Sequence, residues 1–292
     1  MNTRLTYDID TIRSYINWPY FYHAWQMKDP EGKKKLRQEA EEVLDRLAPR
    51  YHTYALFAIV AAYSEGDDIM VVGGRGKMDD GRGKMDDVIG RIPCLRQQQV
   101  DSHFLCLADF IAPKPSCPAT LSYKTPVTTI GNTIGLFATS VDHGLESDFD
   151  SDPYMKMMVQ LLADRLAEAT AERMHEEVRK DYWGYAPDEQ LSMDDLHMEH
   201  FQGIRPAVGY PSLPDTSLNF VLDQLIDMKQ IGIRLTENGA MKPHASVSGL
   251  MLAHPKARYF NIGKIGTDQL NDYARRRGLP MELMRRFLAA NL

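Results

Sequence analysis

The chain has 292 residues, 43% of them hydrophobic and 25% charged, an ordinary globular mixture long enough for one large domain or two modest ones. A net charge of -6, from 34 basic and 40 acidic residues, opposes non-specific contact with a phosphate backbone and argues against a nucleic-acid partner. No run approaches roughly 18 uninterrupted apolar residues, and Met1-Asn2-Thr3-Arg4 leads into Tyr7-Asp8-Ile9-Asp10 without an apolar core, so no membrane span or secretion signal is expected.

In chain order, the first clear helix is expected from about Gly32 to Leu47, with Leu36, Ala40, Val43 and Leu47 on one stripe. Residues up to about 50 read as a helical N-terminal part. Two β-leaning runs follow, Tyr54 to Tyr63 and Asp68 to Val72. The turn residues Ser64-Glu65-Gly66-Asp67 between them predict a hairpin. The heptapeptide Gly74-Arg75-Gly76-Lys77-Met78-Asp79-Asp80 is then repeated as Gly81-Arg82-Gly83-Lys84-Met85-Asp86-Asp87. Its Gly-Lys pairs invite a phosphate-loop reading, but Met78 and Met85 stand where a magnesium-binding Ser or Thr belongs and the glycine spacing is wrong. A flexible or hairpin loop is the better reading.

Leu95 to Ile111 is expected to be helical, Lys114 to Pro126 a proline-rich loop, and Ile130 to Val141 a buried strand. The strongest helix is expected from Pro153 to Tyr182, about 45 Å long. Asp215 is placed as the cap of a helix from Thr216 to Gln230, with Gly232 closing it, and Thr267 as the cap of another to Arg277. Pro280 opens the last helix. Ala245 to Ala253 and Tyr259 to Ile265 read as strands. Helices and strands do not alternate regularly, which favours α+β over a doubly wound sheet.

Metal chemistry finds little support. His197-x-x-His200 shares a helix face without a further ligand, and His175-Glu176 begins a zincin motif that Arg179 ends. Cys94, Cys106 and Cys117 fit neither a disulfide framework nor a zinc pattern, which makes a reducing cytoplasm the expected setting. The clusters Lys33-Lys34-Lys35 and Arg275-Arg276-Arg277 read as solvated helix faces. Gln202 to Pro211 differs, because its two prolines and two glycines fix an extended, turning backbone with Arg205 and Tyr210 on it. Such a backbone is expected to leave N–H and C=O groups for a ligand, and a guanidinium matches a carboxylate bidentately. On these residues alone a structural turn is still the simpler reading.

Arg205-x-x-x-Gly209-Tyr210 resembles the S-adenosylmethionine-binding loop of the activation domain of cobalamin-dependent methionine synthase. Other segments agree in order: Tyr15-Ile16-Asn17-Trp18, Cys106 to Lys114, Ala163 to Ala169, His175-Glu176, Tyr182 to Pro187, Leu235-Thr236-Glu237 and Ala245 to Gly249. The resemblance runs from about residue 10 to the C-terminus, with breaks at the duplicated heptapeptide and around Lys114 to Ile130. It implies a C-shaped single α+β domain over residues 1–292, with a twisted antiparallel sheet and long helices. The function it implies is binding of S-adenosylmethionine and reductive methylation of cob(II)alamin, with a flavodoxin-like electron donor and no metal of its own.

Carried over by motif, Arg205 would hold the donor's carboxylate, the backbone of Ala207, Val208 and Gly209 would line its adenosyl group, and Tyr210 would face the cobalamin. Tyr259 and Phe260 match a second donor-contacting pair, and Glu168 an acidic residue near the site. The plain reading of Glu168 is a solvated helix face shared with Asp164, Glu172 and His175. Asn17 stands where the family has an Asp expected to meet the donor's ammonium. Losing that charge should weaken binding by about 1–2 kcal/mol. The cobalamin-ligating Asp-x-His-x-x-Gly pattern is absent, so the expected partner is a cobalamin module supplied in trans. A non-catalytic S-adenosylmethionine-binding regulator and a reactivator of another corrinoid protein are the alternatives.

Overall fold

The structure is a computed structural model that describes residues 2–73, 88–99, 104–114, 131–149 and 151–292. The chain opens with strand β1 (Thr3–Asp8), short helices α1 (Ile9–Ile12) and α2 (Trp18–Ala24), and α3 (Pro30–Leu47). The N-terminal part is therefore not wholly helical. Helix α3 starts two residues earlier than its stripe suggested, because the Asp29 carboxylate accepts from Gly32 N–H and Pro30 occupies the first turn.

Next come β2 (His52–Glu65), β3 (Asp68–Val72), β4 (Val88–Pro93) and β5 (Thr133–Val141). Helices α4 (Gly144–Ser147) and α5 (Pro153–Glu177) follow, the latter ending in a π-turn at Val178–Tyr182. The remainder comprises α6 (Met193–His197), α7 (Leu218–Ile226), β6 (Arg234–Leu235), β7 (Met241–Lys242), β8 (Ser246–Met251), α8 (Thr267–Arg277) and α9 (Met281–Phe287).

The main sheet runs β4-β3-β2-β5-β8, all antiparallel. Strand β2 is long enough to serve both β1, at residues 52–57, and β3, at residues 61–65, on one edge while β5 covers the other. All nine residues of β5 are buried, as a strand covered on both faces requires. Alternation of side chains divides the core. Ala55, Phe57 and Phe137 face α2, α3 and α5, whereas Leu56, Ala58, Leu136 and Ala138 face α7. A third cluster joins α8 and α9 to Leu95, Ile262 and Ile265. Among the described residues no helix is long and apolar enough to cross a membrane.

Several expectations need correction. Among the described residues Leu95 to Ile111 is not an α-helix: Arg96 pairs with Cys106 in an isolated bridge, and Leu107–Phe110 make a 3₁₀ turn. Tyr259 to Ile265 is not a strand; Ile262 N–H donates to Pro211 C=O and Ile265 N–H to Asn291 C=O. The run after Asp215 breaks at Asp227, which takes φ 51° between α7 and a 3₁₀ turn. Asp215 both caps and anchors: its Oδ1 accepts from Ser217 N–H just before α7, while its Oδ2 accepts from the Tyr273 hydroxyl and Arg277. The cap of α8 is Gly266, with Thr267 already helical. Arg276 and Arg277 do not lie on a solvated face; they pair with Asp68, Asp272 and Asp215 and are nearly buried, while Arg275 is exposed. The repeated heptapeptide and the proline-rich segment from 115 onward lie outside the described residues. The strands that flank the repeat, β3 and β4, are paired neighbours.

Candidate functional site

Helix α5 lies across β2, β5 and β8 with its apolar side down. Arg165, Glu168, Ala169 and Glu172, at helical spacing i, i+3, i+4, i+7, therefore fall on one stripe. That stripe forms one wall of a groove of about 600 Å³. Tyr15 and Asn17, just before α2, and Tyr20 within it form a second side, and His197, the last residue of α6, with Glu199 just beyond it, a third. The segments Arg205–Ser212 and Tyr259–Phe260 complete it.

The Arg205 segment is seated by the sheet. Ile204 and Leu252 exchange backbone hydrogen bonds of 2.9 Å, Val208 N–H donates to Ser248 C=O at 2.8 Å, and Leu250 N–H donates to Pro206 C=O at 3.0 Å. The segment thus continues the sheet past β8, and its backbone groups are largely spent on protein partners. The expectation of a backbone left free for a ligand is corrected accordingly. Gly249 permits the approach, because a Cβ there would overlap Pro206 O and stand 2.8 Å from Ala207 Cα.

Arg205 is buried, 8% exposed, and its Nη2 pairs with the Glu172 carboxylate. Burial opposes its charge, yet Glu172 first, then Tyr259, Glu168 and Glu199, hold the guanidinium above its ordinary pKa. Its backbone N–H donates to the Tyr259 hydroxyl at 2.9 Å. Tyr259 is itself pushed up to about 12 by burial, against the opposing charge of Arg205. Tyr210 is 51% exposed and donates to Glu168 Oε1 at 2.5 Å. Burial of the ring and the Glu168 charge raise its pKa.

Asn17, Glu168, Arg205, Ala207, Tyr210, Tyr259 and Phe260 all line the groove. Phe260 is fixed through its backbone, with Ser212 Oγ accepting from its N–H at 3.1 Å and donating to its C=O. Val208 and Gly209 do not line it. Val208 is buried in the core on the far side of the sheet, and Gly209, at φ 90°, gives its N–H to Leu213 C=O.

Two carboxylates escape sequence reasoning. Glu172 is no solvated residue but the partner of Arg205, and His175 beside it is wholly buried. Spacing four from Glu168 on α5 was the available signal for Glu172. Glu199 has none: it enters the groove from the left-handed region, at φ 59°, just after α6. The residue as a whole is exposed, and partial desolvation, then the Glu172 charge, raise its pKa. The histidine pair separates, with His197 Nε2 on Tyr15 C=O in the groove and His200 on Asp195 outside. Among the described residues no cluster of three His, Cys, Asp or Glu side chains could hold a metal ion.

Three buried polar atoms of the groove residues lack a partner: Asn17 Oδ1, Glu172 Oε2 and Arg205 Nε. Such atoms cost about 1–3 kcal/mol each when left unpaired. They comprise a donor on a cation beside two acceptors, one of them anionic, which is the complement of a group carrying both an anion and a cation.

Residues 8–278 match the family model described as the activation domain of vitamin B12 dependent methionine synthase. Among solved structures the chain is similar to one described as the crystal structure of the MetH reactivation domain bound to AdoHcy. The two share 37% identity and a TM-score of 0.84, over 100% of this chain and 90% of that one.

Proposed function

The chain belongs to the family of activation domains of vitamin B12 dependent methionine synthase, and from that premise we propose that its groove binds S-adenosylmethionine and presents the methyl group to cobalamin carried on a separate module, supplied in trans. The observation that carries this reading is the set of unpaired groove atoms. The α-carboxylate of the donor would take Arg205 Nε, and its ammonium would take Asn17 Oδ1 and the Glu172 carboxylate. All three are closed from water in the free protein, so binding requires the surrounding groups to shift. The AdoHcy bound to the similar MetH domain supports the same ligand class.

The chemistry divides accordingly. Cobalamin, when reduced, supplies the nucleophile, and a flavodoxin-like protein is the proposed electron source. This chain contributes orientation and electrostatics. Glu168, Glu172 and Glu199 stand about a groove where a sulfonium would place its positive charge. Tyr210, exposed and hydrogen-bonded to Glu168, would meet the arriving cobalamin face. The test is to mix the protein with a cobalamin module and a reductant and follow the cobalamin spectrum. Methylcobalamin should form only when S-adenosylmethionine is present; no change with any such module would refute the reading.

Asn17 gives a sharper check. Asn17→Asp places a charge opposite the ammonium in nearly the same volume, so S-adenosylmethionine should bind about three- to thirtyfold tighter, or roughly 0.7–2 kcal/mol. The gain should shrink in high salt. The ligand-free melting temperature should fall, because the new carboxylate would be buried without a partner in an already acidic groove. Calorimetric titration at two salt concentrations decides it: unchanged or weaker binding would mean that Asn17 does not face the ammonium.

A further inference from the structure

Below the groove, α5 ends in a buried cluster that the function above does not use. His175 and Arg179 are both 0% exposed. Arg179 meets the Glu189 carboxylate through Nε at 3.0 Å and Nη2 at 2.6 Å, and its Nη1–H donates to His175 Nδ1 at 2.9 Å. An arginine can only donate, so His175 is neutral with its proton on Nε2, where the Tyr185 hydroxyl stands at 3.5 Å. Burial, then the Arg179 and Arg205 charges, hold the His175 pKa well below its ordinary value.

A buried ion pair stabilises little beyond what apolar packing in the same volume would contribute. Its placement is therefore the informative feature. The Phe201 ring stands edge-on to His175, with centroids 5.0 Å apart, and lies 4.2 Å from the Arg179 guanidinium carbon. The Tyr185 hydroxyl packs over Gly203, 3.2 Å from where a Cβ would stand. Phe201 and Gly203 lead directly into Arg205. On the other side, Gln202 Nε2 donates to Ala253 C=O and Ile204 pairs with Leu252. The segment is thus clamped between the end of β8 and the π-turn that carries Arg179, a kind of helix irregularity common at functional sites.

We propose that the Arg179–Glu189 pair, with His175 and Phe201, is a positioning device for Arg205, setting where the guanidinium stands for the amino-acid end of the ligand. The inference rests on the reading of the groove as an S-adenosylmethionine site. Phe201 touches no ligand and acts only through the segment it anchors.

The test is a double-mutant cycle read by S-adenosylhomocysteine affinity, followed by NMR titration so that weak binding is measured. Phe201→Leu keeps an apolar side chain and removes the ring. In the wild-type background it should weaken binding about tenfold, because a misplaced fork loses most of its geometric advantage. In an Arg205→Lys background, where the fork is already gone, it should change affinity less than about twofold. Glu189→Gln, which leaves Arg179 a hydrogen-bond partner but no charge, should repeat the pattern and stands in if Phe201→Leu does not fold. Equal losses in both backgrounds, or none in either, would overturn the proposal and leave the cluster a purely structural element. Failure of the wild-type protein to bind the ligand at millimolar concentration would instead refute the groove reading, and this inference with it.

Discussion

Replacing Arg205 by Ala is expected to abolish most binding of S-adenosylmethionine and also to destabilise the free protein. The first effect follows from losing charge-assisted bonds to the ligand carboxylate, worth roughly 1.5–3 kcal/mol, or about a 10- to 150-fold loss of affinity. The second follows from burial. Arg205 is the ion-pair partner of Glu172, and removing one member of a buried pair leaves the other uncompensated, at about 3–5 kcal/mol when both are fully buried. Glu172 retains 19% side-chain exposure, which puts the expected cost at the lower end of that range or beneath it. Arg205→Lys separates the two effects. The charge opposite Glu172 survives, so the melting temperature should fall much less, but the ammonium cannot reproduce the fork and affinity should still drop about tenfold. Thermal melts and calorimetric titrations of both variants check this. If Arg205→Lys binds like the wild type, the guanidinium serves only its intramolecular ion pair.

The other large effect is expected at Gly249. An added Cβ would meet backbone atoms of Pro206 and Ala207, which cannot swing aside, as well as the edge of the buried Phe137 ring. Gly249→Ala can be accommodated only by lifting the Arg205 segment off β8, breaking the Val208–Ser248 and Leu250–Pro206 hydrogen bonds. Overpacking of this kind costs about 1–3 kcal/mol, to which the lost bonds add about 1 kcal/mol each. A shift of the segment by about 1 Å should also cut ligand affinity by tenfold or more. Unchanged melting and unchanged binding together would show that the segment is not held by its contact with β8.

Much of the frame was legible in the sequence because single elements announce themselves. The stripe Leu36, Ala40, Val43, Leu47 marks α3, and Gly66 between β-leaning runs marks the β2–β3 hairpin. Misreadings arose where local signals compete with distant partners. Leu95 to Ile111 has apolar residues at spacings a helix tolerates, but Arg96 pairs with Asp67 outside the segment and with Asp109 near its far end, which folds the segment back on itself. Arg276 and Arg277 look like surface charge until Asp68 and Asp215, distant in sequence, are found beside them. The site shows the same division. Arg205, Gly209 and Tyr210 are visible as a motif, and Asn17 by its departure from one. Glu172 and Glu199 acquire meaning only when α5 and the turn after α6 are brought against Arg205.

Strand β8 closes one end of the main sheet, and its outer edge would offer unpaired backbone groups to any passing chain. The bridges from Ile204 and Ala207 occupy that edge. The segment that carries Arg205 thus also guards against aggregation, and lesions that unseat it should show as insolubility as well as lost binding. A ligand that pins Arg205 would also hold that edge shut, so occupancy of the groove and colloidal stability of the protein should rise together.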